Sequence, residues 1–329
     1  MKELFKNKTI VFFGDSIAEQ GYFCYNIRAR LREVGESARV FNRGVGGTRA
    51  VMAKYMLEEE VFPLSPDVVF ISYGANDIGI WLYDAKKAET PELLEKRRAR
   101  DEEYIASLRE IILALKARGI TPICQTPYPV NERLIEKADI DTIADNDEKE
   151  DYIGPSFYKR ATFERINRGL SGYAERVREM CRELSVDVVD VFSYMHKASL
   201  DTDGLFIDDG CHYTELGHAY IARCLLDFMG IRSDGTDFSR YPDLDEARHT
   251  EELIRDIMMY RRATMLPESI WPKTTHEDVL ATLKRLVGNK DYWNAQKVPG
   301  VLENYEKIAE LKAQERELIY ALSDIKSTI

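Results

Sequence analysis

Nowhere in the 329 residues do apolar side chains run together for the roughly 18 positions a helix needs to cross a bilayer. No membrane span is therefore expected. No apolar stretch of signal-peptide length precedes Thr9 either, and without such a leader the expected location is cytoplasmic. Cysteine is scarce and scattered: Cys24, Cys124, Cys181, Cys211 and Cys224 are odd in number and show no CxxC spacing. That pattern supports neither a disulfide framework nor a cysteine-rich zinc site. Positive charge is in deficit, with 46 Lys and Arg against 57 Asp and Glu and a net charge of −11. A broad nucleic-acid footprint needs a cationic surface, so none is expected. The glycine patterns of nucleotide sites, GxGxxG after a first strand or a Walker loop with its lysine, are also missing. No internal repeat is visible.

What remains is the composition of a folded protein with a large core, 44% hydrophobic and 31% charged. The chain is organised around Thr9-Ile-Val-Phe-Phe-Gly-Asp-Ser-Ile17. Ile10 to Phe13 are β-branched or aromatic with no polar break, as in a parallel strand buried on both faces. Gly14 permits a turn, and Asp15-Ser16 stand where a helix can begin. A serine there is either a simple cap or a hydroxyl presented at the carboxyl edge of a sheet, where open α/β sheets carry their chemistry.

The same grammar recurs down the chain. A helix is expected from Gly21 to Val34, a strand over Ala38-Arg-Val-Phe41, and then the loop Asn42-Arg-Gly-Val-Gly-Gly-Thr48, whose glycines imply a sharp bend or a close approach. A helix over Arg49 to Phe62 leads to the strand Asp67-Val-Val-Phe-Ile-Ser-Tyr73 and the turn Gly74-Ala-Asn-Asp77. A long helix over Pro91 to Arg118, a strand over Ile120 to Thr126, a helix over Phe163 to Leu184, a strand over Val186 to Phe192 and a helix over Glu215 to Phe228 complete the pattern. Residues 131–160, with the acidic run Asp145 to Asp151, read as a polar insertion or lid, or as a solvated loop. Five strands alternating with helices predict an α/β fold, a doubly wound parallel sheet of five strands between two layers of helices. The expected division is an α/β domain over 1–238 and a helical C-terminal extension over 239–329, with helical segments near 245–262 and 275–288 and over Leu302 to Ile325.

A serine hydroxyl needs a base to take its proton and an acid to orient that base. Asp209 and His212 in the loop Asp208-Asp-Gly-Cys-His212 have those residue types. The N–H of Ser16, a glycine-loop N–H and the Asn76 carboxamide could stabilise an oxyanion. Four blocks in order, Gly14-Asp15-Ser16, Asn42-Arg-Gly-Val-Gly-Gly47, Gly74-Ala-Asn76-Asp77 and Asp209-Gly-Cys-His212, make the chain resemble the SGNH (GDSL-like) hydrolase family of esterases and lipases.

The resemblance covers residues 9 to about 228 and implies the flavodoxin-like three-layer fold and carboxylic-ester hydrolysis. It implies Ser16 as nucleophile, His212 as general base and Asp209 as orienting carboxylate, with Asp208 as the neighbouring alternative. It further implies an oxyanion hole of Ser16, Gly47 (or Gly46, one position away) and Asn76, with no cofactor and no metal. Asp15 is expected to stabilise its loop, His218 to pack or cap, and His196, His249 and His276 to have no role. Cys211 is the cysteine beside the histidine, the others being read as core residues. Tyr73, Trp81 and Tyr83 could line a pocket or belong to the core.

The substrate expected is a small-molecule ester, an acetyl group on a carbohydrate being preferred. Acyl transfer, a lysophospholipase-like lipase and a non-catalytic binding protein on this fold are the alternatives. The imperfect heptad stripe of Ile308, Leu311, Leu318, Leu322 and Ile325, broken by Glu315, suggests a helix that packs back on the body or joins two subunits. A homo-oligomer through the C-terminal helices is the expectation.

Overall fold

The structure is a computed structural model that describes residues 1–83, 88–137, 165–232 and 308–324. Strands β1 (Thr9–Gly14), β2 (Arg39–Asn42), β3 (Val68–Ser72), β4 (Thr121–Gln125) and β5 (Asp187–Val189) form one sheet in the order β2-β1-β3-β4-β5. Every pairing is parallel. This is the expected five-stranded, flavodoxin-like order. The strand order reverses here, the chain moving from β1 to β2 on one side and then to β3 on the other, so the crevice beyond the carboxyl ends of β1 and β3 is where the topology leaves room for a ligand.

The period of two along β1 divides the core. Val11 and Phe13 face one layer, shared with helices α3 (Ala50–Met56), α4 (Pro91–Ala117) and α6 (Ile166–Leu184). Ile10 and Phe12 face the other, shared with α2 (Tyr22–Glu33), α7 (Val191–Asp201) and α8 (Glu215–Met229). Both faces of the central strands are thus apolar, which is why β1 and β3 show no alternation in the sequence. Phe12 stacks on Phe70 of the neighbouring strand with ring centroids 4.7 Å apart.

Several expectations change in detail. The expected fifth strand through Phe192 stops at Val189, because Asp190 caps a helix: its carboxylate accepts the Ser193 N–H at 3.2 Å and the Ser193 hydroxyl at 2.8 Å. Val191 and Phe192 belong to α7, an element the apolar run disguised as strand. The helix after the glycine loop is regular only to Met56 and continues through irregular helical turns over Leu57–Val61 and Phe62–Leu64.

Residues 131–137, the start of the expected polar insertion, are anchored rather than looped out. They include α5 (Glu132–Lys137), in which Glu132 and Ile135 are buried. The Glu132 carboxylate accepts the Asn167 N–H at 2.6 Å. The rest of that segment lies outside the described residues, as do the 238/239 boundary, the helical segments near 245–262 and 275–288, His249 and His276. The last helix is described as α9 (Ile308–Asp324). It packs beside β2: Ile319 joins the core cluster of Val11, Phe41 and Val45. The Tyr320 ring lies 6.5 Å from that of Phe41 and under the Arg39 guanidinium.

Candidate active site

The site grows from three strand ends and one hairpin. After β1, Asp15 caps the short helix α1 (Ser16–Gln20) by accepting the Ile17 N–H at 3.1 Å. Ser16 is therefore the first helical residue, where a backbone N–H has no partner within the helix itself. After β2, the Asn42 carboxamide locks the glycine loop to that helix. Its oxygen accepts the Gly44 N–H at 2.8 Å and its nitrogen donates to the Ala18 carbonyl. Gly44 has to be glycine here, since a Cβ would come within 2.2 Å of the Glu19 nitrogen. The loop backbone also extends the sheet, Arg43 N–H donating to the Phe12 carbonyl at 2.7 Å and Val45 N–H to the Gly14 carbonyl at 2.9 Å.

After β3, Asn76 Nδ2 donates to the Thr48 carbonyl at 3.0 Å, and the buried Asp77 carboxylate accepts the Ala50 N–H at 2.8 Å. Two consecutive side chains thus fasten the third block to the end of the glycine loop and to the start of α3.

Asp209 and His212 sit on a hairpin. Thr214 N–H donates to the Leu205 carbonyl and Ile207 N–H to the His212 carbonyl, each at 3.0 Å. Gly210 turns the tip with φ 71°, the left-handed region where glycine carries no Cβ penalty. The tip rests on the segment before α5, Asn131 N–H donating to the Gly210 carbonyl at 2.7 Å. On the other side, the Tyr213 hydroxyl donates to the Pro129 carbonyl at 2.7 Å, and Gln20 Nε2 donates to the Tyr213 carbonyl at 3.3 Å.

This hairpin brings His212 Nε2 to 2.8 Å from Ser16 Oγ and His212 Nδ1 to 2.6 Å from Asp209 Oδ2. The other Asp209 oxygen accepts the N–H groups of Cys211 and His212 at 2.8 and 2.9 Å. Burial would raise the Asp209 carboxyl, but the hydrogen bond and charge of His212, together with those two N–H groups, outweigh it and hold the group below its ordinary value. A carboxylate so placed holds the imidazole in one tautomer, with Nε2 turned to the serine. Ser16 itself is only partly buried.

Of the residues expected from sequence, Ser16, Asp209 and His212 converge, while Asp208 is exposed on the flank of the hairpin. Asn76 follows β3 and is bonded to Thr48 at the end of the glycine loop, in which Gly47 has φ 78°. His218 is fully buried, its ring parallel to Phe23 and its Nε2 3.0 Å from Gln20 Oε1. His196 stacks on Phe192. Tyr73 and Tyr83 are core residues, Tyr73 edge-on to Phe13; the side chain of Trp81 lies outside the described residues. Cys211 is buried, and its N–H serves Asp209.

The roles of Asp77 and Gln20 were not legible in the sequence, because each works through a partner far along the chain. Burial pushes the Asp77 carboxyl up to about 6. Burial, together with the charge of Asp77, takes Asp15 up to about 7. Among the described residues, no group of three His, Cys, Asp or Glu side chains is placed to hold a metal ion, and no helix is long and apolar enough to cross a membrane.

Known proteins resemble this chain in sequence and in fold. The GDSL-like Lipase/Acylhydrolase family matches residues 12–220. The isoamyl acetate-hydrolyzing esterase 1 homolog of Rattus norvegicus is 27% identical over 223 residues, covering 64% of this chain and 77% of that protein. Among solved structures, a gut microbial diltiazem-metabolizing enzyme shares the fold with a TM-score of 0.69 at 14% identity, over 98% of this chain and 96% of its own. The acetylxylan esterase Axe2 of Geobacillus stearothermophilus does so with a TM-score of 0.50 at 21% identity, over 70% and 99%. The chain belongs to the GDSL-like lipase/acylhydrolase family and is a carboxylic ester hydrolase.

Proposed function

We propose that this protein is a serine esterase that removes short acyl groups, acetyl above all, from a carbohydrate or another small molecule. Ser16 Oγ attacks the ester carbonyl while His212 Nε2 takes its proton. Asp209 keeps the imidazole oriented and stabilises the imidazolium that forms. The carbonyl oxygen, now negative, is met by the N–H groups of Ser16 and Gly47 and by the Asn76 amide, donors that act most strongly once charge has developed. Collapse of the tetrahedral intermediate expels the alcohol, which takes the proton from His212, and leaves the acyl group on Ser16. Water, deprotonated by the same histidine, then releases the acid.

The observation that carries this reading is the 2.8 Å approach of His212 Nε2 to Ser16 Oγ, with Asp209 behind it. The preference for acetyl is supported by the rat relative, named for an acetate ester of a small alcohol. The test is hydrolysis of aryl acetate, butyrate and octanoate by wild type and Ser16→Ala, with acetylated oligosaccharides alongside and fluorophosphonate labelling of both proteins. Turnover should be fastest on acetate and absent from a folded Ser16→Ala protein, which should take no label. Faster cleavage of octanoate would overturn the acyl preference, and label on the variant would overturn the nucleophile.

A further inference from the structure

Arg43 is the second residue of the glycine loop, and its side chain is 2% exposed. Its Nη1 lies 2.6 Å from Glu315 Oε1 on α9, whose side chain is wholly buried, and also donates to the Asn42 carbonyl at 2.8 Å. Arg43 Nε donates to the Glu60 carbonyl at 3.1 Å. The same helix reaches this turn a second time: Lys312 Nζ is 3.0 Å from Glu60 Oε1 and donates to the Glu59 carbonyl at 3.1 Å. One guanidinium therefore joins β2, the turn after α3 and the C-terminal helix.

A buried ion pair is a poor way to gain stability, because desolvating two charges offsets most of their attraction, and apolar side chains of similar volume would hold the helix as well or better. What the pair supplies is a fixed direction. Arg43 holds the Asn42 carbonyl, and the Asn42 carboxamide holds both the Gly44 N–H and the Ala18 carbonyl of the helix that begins with Ser16. Glu315 lies beyond the residues matched by the family, yet it stands at the head of this chain of contacts.

We propose that Glu315 is a positioning residue for catalysis: through Arg43 it sets the Asn42–Gly47 loop and α1 so that the Gly47 and Ser16 N–H groups converge on the oxyanion. This inference rests on the serine-esterase reading above.

The experiment uses the full chain with the paired substitution Arg43→Met and Glu315→Met, which removes both charges and leaves neither buried alone, and with Glu315→Gln, which keeps an acceptor for Arg43. Readouts are the melting transition, kcat and KM on an aryl acetate, the pH profile of kcat and the rate of fluorophosphonate labelling. A folded paired variant should lose about tenfold in kcat and in labelling rate at a KM within about twofold of wild type, because a misplaced donor fails chiefly in the transition state. The pH profile should not move, since Ser16, His212 and Asp209 are untouched. Glu315→Gln should lose about threefold in both rates, a smaller misplacement.

A folded paired variant with wild-type kcat, or with raised KM alone, would overturn the proposal. Should the paired variant not fold, a Glu315→Gln protein with wild-type rates overturns it. A wild type that takes no label would sink the serine-esterase reading and this one with it. A labelled wild type beside an unimpaired paired variant sinks this one alone.

Discussion

Asn76 Nδ2 donates to the Thr48 carbonyl at 3.0 Å, so the carboxamide is tied to the end of the glycine loop before any substrate arrives. An amide nitrogen has two hydrogens. With one engaged by Thr48, the side chain cannot swing, and the second keeps a fixed direction at the sheet edge. An oxyanion donor held in this way would be preorganised, oriented by the fold rather than by the substrate.

Asn76→Ala should therefore lower kcat by about 10² to 10³ with little change in KM, the loss seen when one oxyanion donor is removed. Steady-state kinetics on an aryl acetate will show it. An Asn76→Ala enzyme with undiminished kcat would contradict the donor role.

Gly44 has a backbone neighbour where a side chain would begin. A Cβ would stand 2.2 Å from the Glu19 nitrogen and 2.5 Å from the Ala18 carbonyl carbon, and neither can yield without moving the helix that starts at Ser16. Gly44→Ala should cost about 1–3 kcal/mol of stability by overpacking and should lower kcat as well. The urea midpoint and kcat of the purified variant measure the two effects, and a variant unchanged in both would count against the close approach.

Asp77 sets a pH dependence. Its carboxyl is raised to about 6 by burial, against an ordinary value near 3.9, so the folded state binds a proton more tightly than the unfolded chain. Its contribution to stability is complete below about pH 4 and is lost as pH rises through 6, amounting to roughly 3 kcal/mol. Asp15, raised to about 7, acts in the same direction. Asp77→Asn keeps an acceptor for the Ala50 N–H but cannot ionise. Its Tm should fall less than that of wild type between pH 4 and pH 7, and parallel Tm curves for the two proteins would rule the effect out.

The fold class was legible because the β-strands announce themselves. Ile10 to Phe13 and Val68 to Ile71 are unbroken apolar runs followed by glycine and small polar residues, as suits buried parallel strands. Asp209 and His212 were legible as residue types a base and its orienting acid need, close together in the chain, and the family resemblance preferred Asp209 to Asp208; the hairpin puts His212 Nδ1 2.6 Å from Asp209 Oδ2. The α7 helix was not, because Val191 and Phe192 extend an apolar run and only the hydrogen bonds of Asp190 turn it into a helix start. The first residues after Val130 read as polar and loose. Glu132 is a charged residue type yet buried, and its carboxylate accepts a backbone N–H thirty-five positions away.

By itself the sequence determined the alternation of strands and helices, the buried character of the sheet and the residue types gathered at its carboxyl edge. These depend on local periodicity and on turn chemistry, which neighbouring residues carry. Only the tertiary structure decided which partners those residues have. Ser16 meets His212 across 196 positions, and Arg43 meets Glu315 across 272. Such pairings leave no local periodicity to read, because they are fixed by strand order and by the packing of helices against the sheet.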